Sequence, residues 1–201
     1  CEDNRLLRDI DAFVEANPQS AAAHINRGIA YGHLGRYRRA IQDFDEAIRL
    51  NSRFDDAYYN RGLAYGNLGQ YQRAIQDFDE AIRLSPQYSK AYVNRGVAYV
   101  YLGEYERAIE DHDQAIRLNP QHDGYYYRAL AYGNLAQYER AIEDYNQAIR
   151  LNPQSDSSYV NRGVAYNSLG QYERAIQDLD QAIRLNPQRA DIYYSRGVVY
   201  G

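Results

Sequence analysis

Residues 58–87 read YYNRGLAYGNLGQYQRAIQDFDEAIRLSPQ. Nearly the same string returns at 92–121 as YVNRGVAYVYLGEYERAIEDHDQAIRLNPQ and at 159–188 as YVNRGVAYNSLGQYERAIQDLDQAIRLNPQ. A fixed period of this size is the mark of a repeat architecture and ranks above any local motif. Aligned on itself, the chain is a single array over 1–201. It holds an N-terminal half-unit at 5–19, full units at 21–54, 55–88, 89–122, 123–155 and 156–189, and a partial unit at 190–201. Every full unit spans 34 residues except the fourth, which is one shorter near Gly124–Tyr125.

Each unit reads as two helices. In the second, Tyr58, Ala64, Tyr65 and Leu68 recur at helical spacing, and Gly69 sits where a left-handed residue ends a helix. Tyr71, Ala74, Ile75, Phe78, Ala81, Ile82 and Leu84 then mark a second helix, and Pro86 stops it. Connections this short make the two helices antiparallel neighbours. Neither buries its apolar stripe alone, so successive pairs must stack. Gly28, Gly62, Gly96, Gly163 and Gly197 share one place in the first helix, with Ala129 in the fourth unit. Glycine there costs about 1 kcal/mol against alanine, so the pattern predicts a position where no side chain fits. Tyr31, Tyr65, Tyr99, Tyr132, Tyr166 and Tyr200 are expected to fill the space beside it.

Composition narrows the function. The net charge is −4 with acids and bases well mixed, so no basic surface for nucleic acid is expected. No run approaches the roughly 18 apolar residues of a membrane span. With 23 tyrosines, 4 phenylalanines and no tryptophan, tyrosine must supply most of the large rings. Cys1 is the only cysteine, so no internal disulfide forms. A chain starting at cysteine fits a mature bacterial lipoprotein, or an end left by processing or cloning. The compartment is thus open: cytoplasmic, or periplasmic if Cys1 carries a lipid.

The pattern resembles the tetratricopeptide repeat (TPR) family. Unit two carries its signature as Tyr58, Gly62, Tyr65, Ala74, Phe78, Ala81 and Pro86. Unit five carries it as Tyr159, Gly163, Tyr166, Ala175, Ala182 and Pro187, with Leu179 in the second aromatic slot. One departure repeats: the leucine before the glycine is arginine throughout. The resemblance implies an all-α fold, a right-handed superhelical α-solenoid of stacked antiparallel helix pairs whose first helices line a concave groove. It also implies work in binding other proteins, often as extended peptides.

In that geometry Asn26, Asn60, Asn94 and Asn161 face the groove, and the row resembles the asparagine ladder of the O-GlcNAc transferase repeats. An amide offers both donor and acceptor to a peptide backbone. The alternative is that these amides bond to a neighbouring helix or to water. An apolar lane borders them, with Tyr59, Val93, Tyr126 and Val160 as contact candidates and Ile29, Leu63, Val97, Leu130, Val164 and Val198 beside them. Of a five-residue chaperone-tail clamp only Asn60 and Lys90 match, while Ile25, Ile29 and Asn94 do not, so the clamp is incomplete.

The repeated arginines Arg27, Arg61, Arg95, Arg128 and Arg162 face Asp43, Asp77, Asp111, Asp144 and Asp178 in register. A structural ion ladder is expected, since a partly buried guanidinium needs a partner. The competing role is capture of a ligand carboxylate or phosphate. Asp45–Arg49, Asp79–Arg83, Asp113–Arg117 and Asp180–Arg184 read as ordinary (i, i+4) pairs on a solvated face. The histidines His24, His33, His112 and His122 form no metal motif, and no catalytic set stands out. The expectation is a non-enzymatic scaffold with no cofactor or metal. It holds a protein or peptide segment in its groove. Two alternatives remain: self-association through the terminal half-units, where Leu6, Leu7, Ile10, Phe13 and Val14 at one end and Tyr193, Tyr194, Val198, Val199 and Tyr200 at the other are apolar, or a fragment of a larger protein.

Overall fold

The computed structural model describes residues 2–200, with the side chains of residues 7–121 and 123–200. Cys1, on which the lipid reading rests, lies outside the described residues, as do Gly201 and the side chains of Leu6 and His122. The described chain holds helices and connections and forms two compact units, 1–102 and 103–201. The first contains α1 (Glu2–Ala16), α2 (Ala21–His33), α3 (Tyr37–Leu50), α4 (Asp55–Asn67), α5 (Tyr71–Leu84) and α6 (Ser89–Tyr101). The second contains α7 (Tyr105–Leu118), α8 (His122–Asn134), α9 (Tyr138–Leu151), α10 (Asp156–Ser168), α11 (Tyr172–Leu185) and α12 (Ala190–Tyr200).

The turns follow from residue chemistry. Gly35, Gly69, Gly103 and Gly170 have φ of 68°, 72°, 77° and 71°, the left-handed region where L side chains are strained. In the second repeat the Gly69 N–H donates to Gly66 and the Gln70 N–H to Tyr65, at 2.9 Å each, a Schellman closure that caps α4. The fourth repeat has Ala136 there, at φ 55°. The one-residue shortfall of that repeat falls in the connection before it. Helix α8 keeps the 13 residues of α2, α4 and α10.

Packing within each unit is small residue against ring. Ala40, Ala47, Ala74, Ala81, Ala141, Ala148, Ala175 and Ala182 are fully buried. A Cβ on Gly28 would come within 2.6 Å of the Phe44 ring, one on Gly62 within 2.8 Å of Phe78, and one on Gly163 within 3.2 Å of Leu179. Close approach therefore explains glycine at these three. Gly197 differs, since a Cβ there would meet nothing within 4 Å. Tyr31, Tyr99 and Tyr132 are buried and Tyr65 and Tyr166 half-buried, but Tyr200 is exposed, against expectation. On α1, Leu7 and Val14 are buried while Phe13 is exposed. His24 is buried and ties the first connection to the helix pair: Nδ1 lies 3.2 Å from Asp43 and Nε2 3.0 Å from the Pro18 carbonyl.

Candidate functional site

Arg27, Arg61, Arg128 and Arg162 each reach two neighbouring helices. Arg61 on α4 forks onto Asp77 of its own repeat, with Nε and Nη2 at 2.8 and 2.7 Å, and its Nη1 lies 2.5 Å from Asp45 of the repeat before. Arg128 does the same with Asp144 and Asp113, and Arg27 with Asp43 and Asp11. Arg162 takes Asp178 and the side-chain oxygen of Asn146, while Arg95 reaches Asp79 and Arg196 reaches Asp180. Asp43, Asp77, Asp111, Asp144 and Asp178 are all buried.

Burial works against the Arg61 and Arg128 charges, but their aspartates outweigh it and hold both above the usual range. Burial likewise pushes the Asp77 and Asp144 carboxyls up. Tyrosine rings flank the guanidiniums. Arg61, Arg95, Arg128, Arg162 and Arg196 each lie over a ring three residues earlier, at 5.5–5.7 Å from its centroid.

This geometry corrects the outer-face pairs. Asp45, Asp79, Asp113 and Asp180 do not pair with the arginine four residues on; they belong to the inter-repeat bridges. Arg49 and Arg83 turn instead to Glu46 and Glu80, three residues back, and Arg117 and Arg184 to Gln114 and Gln181. The longer Glu and Gln reach a guanidinium across one turn while the shorter Asp is drawn to the buried one.

The asparagines lie on the first helices. Asn26 is exposed, and Asn60 donates 2.8 Å to the Asp56 carbonyl of its own helix. Asn94 donates to the Lys90 carbonyl at 2.9 Å and to the Tyr59 hydroxyl at 3.1 Å. Asn161 donates 3.0 Å to the Tyr126 hydroxyl. Tyr59 and Tyr126 are half-buried and set the amide of the next first helix. Burial raises both phenols above the usual range. Lys90 is exposed and Val93 half-buried. Val160 is buried, with Leu179 and Ile192 in its core cluster, so it presents almost no surface.

Pockets open beside these amides. One of about 200 Å³, between α2 and α4, is bordered by Gly32, Tyr37, Phe44, Asn60 and Leu63. The next, about 350 Å³, has Gly66, Asn67, Tyr71, Asn94, Val97 and Tyr101 around it. In the second unit a pocket of about 160 Å³ has Leu130, Gly133, Tyr138, Asn161 and Val164. Tyr71 and Tyr101 stack with ring centroids 4.6 Å apart. The sequence marks Tyr71 only as a helix-packing residue, and Tyr101, Asn67 and Asn134 do not stand out in it. Asn67, Tyr101 and Asn134 stand just before the Leu-Gly or Leu-Ala turn, a place where residue type varies, while a tyrosine recurs two residues after the turn in each full repeat. No cluster of metal-ligating side chains occurs among the described residues, and no helix there is long and apolar enough to cross a membrane.

Stacked helix pairs with a first-helix face of open pockets define a helical-repeat scaffold. The chain belongs to the tetratricopeptide repeat family. The TPR repeat matches residues 31–69, 131–170 and 165–201, and the tetratricopeptide repeat matches 55–88 and 89–122. Members of this family are in general non-enzymatic protein-interaction scaffolds. Among solved structures the fold is similar to YrrB, described as a TPR protein with an unusual peptide-binding site. That match has a TM-score of 0.73 at 22% identity over 94% of this chain and 97% of that one. It is also similar to a chain of the APC/C hetero-tetramer Cut9–Hcn1, with a TM-score of 0.84 at 22% identity over 99% of this chain and 40% of the other. A third is a thermophilic TPR protein of Thermus thermophilus, with a TM-score of 0.72 at 22% identity over 90% of this chain and 99% of that one. These likenesses establish an all-α solenoid of antiparallel helix pairs. No curated protein sequence matches the chain.

Proposed function

We propose that the chain is a binding module that receives a partner's polypeptide segment along its first helices. In the first unit Asn26, Asn60 and Asn94 form the polar rungs, bordered by Tyr59 and Val93 with Lys90 at the rim; in the second unit Asn161 is the rung and Tyr126 borders it. The observation that carries this is the recurrence of one pocket type beside Asn60, Asn94 and Asn161, each walled by the aliphatic residue three positions after the asparagine. Arg61 and Arg128 are not available for a ligand carboxylate, because aspartates hold them on both sides.

The test is a pull-down with the full chain beside an Asn60→Ala/Asn94→Ala variant. Partners that the variant loses, with its helicity unchanged, support the reading. A partner captured equally by both removes the asparagine rungs from it. A second reading has support of its own. Tyr194, Val198 and Tyr200 on α12 are exposed at 76%, 54% and 68%, a face that self-association would cover. Concentration-dependent oligomers that vanish in Val198→Glu would favour it.

A further inference from the structure

The turn between α2 and α3 carries a charge cluster that the first-helix pockets do not use. Arg36, Arg38 and Arg39 are exposed, and none of their side chains has a hydrogen bond or an ion pair among the described residues. With Gly35, Tyr37 and Leu68 they border an open recess of about 580 Å³, and no carboxylate lines it. Only Tyr37 is shared with the α2–α4 pocket.

The other full repeats place an acceptor where the first has Arg36. Gln70, Gln137 and Gln171 each accept a guanidinium N–H from the arginine three residues on, at 2.9, 2.8 and 2.9 Å, and Glu104 accepts one from Arg107. Arg36 removes that acceptor. Arg39 is left with the Tyr31 ring, 5.7 Å from its centroid. Arg38 is a second exchange of the same kind, since Gln72, Glu106, Glu139 and Glu173 hold its place elsewhere.

This placement works against α3 itself. A helix start is its positive end, and cations there are unfavourable. Helix α3 has no acid in its first turn, whereas α7, α9 and α11 have Glu106, Glu139 and Glu173. Neighbouring segments bring no relief. No Asp or Glu occurs between Glu15 and Asp43 or between Asp56 and Asp77, and the second repeat's turn adds Arg73. Asp43 and Glu46 border another recess that Arg39 lines, but Arg27 and Arg49 hold them. Arg27 and Tyr31 hold Asp11.

We infer that this edge receives an acidic segment of a partner polypeptide, whose carboxylates pair with Arg36, Arg38 and Arg39. A planar guanidinium fork matches a carboxylate. The segment supplies the negative charge that the first turn of α3 lacks. Tyr37 and Leu68 offer apolar contact to a side chain between the acids. Nucleic acid and anionic membrane fit less well. Each presents an extended field of negative charge, and the chain as a whole carries −4.

The test measures Kd for the full chain by fluorescence anisotropy. The labelled probes are a Glu-rich peptide, its Gln and Lys counterparts, and an oligouridylate of equal length; phosphatidylserine vesicles are run beside them. The Glu-rich peptide should bind, and its affinity should fall between about 0.05 and 0.5 M salt. Its two counterparts should bind about fivefold more weakly or less. Arg36→Gln/Arg38→Gln installs the residues of the second repeat. It should weaken binding by about fivefold or more, while the urea midpoint holds or rises as two cations leave the helix start. Arg39→Gln should weaken binding as well. Asn60→Ala/Asn94→Ala should leave it unchanged, which separates this edge from the groove. A Glu-rich peptide that fails to bind, or that binds the parent and both arginine variants alike, would overturn the inference. So would oligouridylate or vesicles that bind more tightly than the peptide and lose that binding in the arginine variants. Each of these outcomes leaves the groove reading standing.

Discussion

Ala136 occupies a backbone position that four other repeats give to glycine, at φ 55°. An L side chain in the left-handed region costs about 1–2 kcal/mol. Ala136→Gly recovers that and loses part of it to the freer unfolded chain, so we expect a net gain of about 0.5–1 kcal/mol, read as a higher urea midpoint. His112 is the larger anomaly. It is fully buried in the slot held by Phe44, Phe78, Tyr145 and Leu179 elsewhere, and neither ring nitrogen has a partner among the described residues. Burial, helped by the Arg128 charge, pushes its pKa down to about 3. The unfolded chain takes up this proton below about pH 6.5 and the folded chain does not. Stability from this site is therefore intact above pH 6.5 and falls as pH drops toward 3, by up to about 1.4 kcal/mol per pH unit. His112→Phe should be more stable than the parent even at pH 7, because an unpaired buried polar group is removed. Its advantage should widen between pH 7 and 5, and a constant difference across that range would refute the titration.

At the scale of helices, the arginine in place of the family's leucine turns an apolar contact into a bridge across repeats. Arg61→Leu restores the family residue but strands Asp77, which is 5% exposed. Breaking a pair while leaving its buried partner charged costs about 3–5 kcal/mol, and chemical denaturation should show a loss of about 3 kcal/mol. Replacing Asp77 by leucine in the same chain should recover much of it. Arg83→Ala, which breaks only the exposed contact to Glu80, should leave the denaturation curve where it was. Half of this bridge was legible in the sequence, because Arg61 and Asp77 keep a constant separation in every unit. The other half was not. Asp45 and Arg49 look like a good intrahelical pair, and only packing brings Arg61 of the next repeat to Asp45. The helix pairs themselves were legible from Gly69, Pro86 and the apolar spacing, since those are local effects. Pocket-forming Gly66 and core-forming Gly62 are indistinguishable as letters, because what a Cβ would meet depends on a neighbouring helix. The orientation of Asn94 was hidden for the same reason, as the Tyr59 hydroxyl comes from the repeat before.

At the scale of the molecule, near-identical copies raise the question of whether folding is all-or-none. Within the first unit, helix contacts pass only between elements one or two apart in the chain. Stability in such an array is close to a sum of repeat and neighbour-interface contributions, so damage should stay local. Phe78 is the place to ask. It is 2% exposed, packs into the Gly62 notch and against Tyr59, and borders the pocket between α4 and α6. Phe78→Ala should cost about 3–5 kcal/mol. Under the nearest-neighbour picture, amide hydrogen exchange should accelerate in α4, α5 and α6 while α1 and α2 keep most of their protection. A unit that opens as one cooperative block would instead lose protection equally from α1 through α6. The same data bear on the groove: if α4 and α6 loosen together, the amides of Asn60 and Asn94 lose their fixed aim. Binding of a partner segment should then weaken even though Phe78 forms only the pocket's back wall.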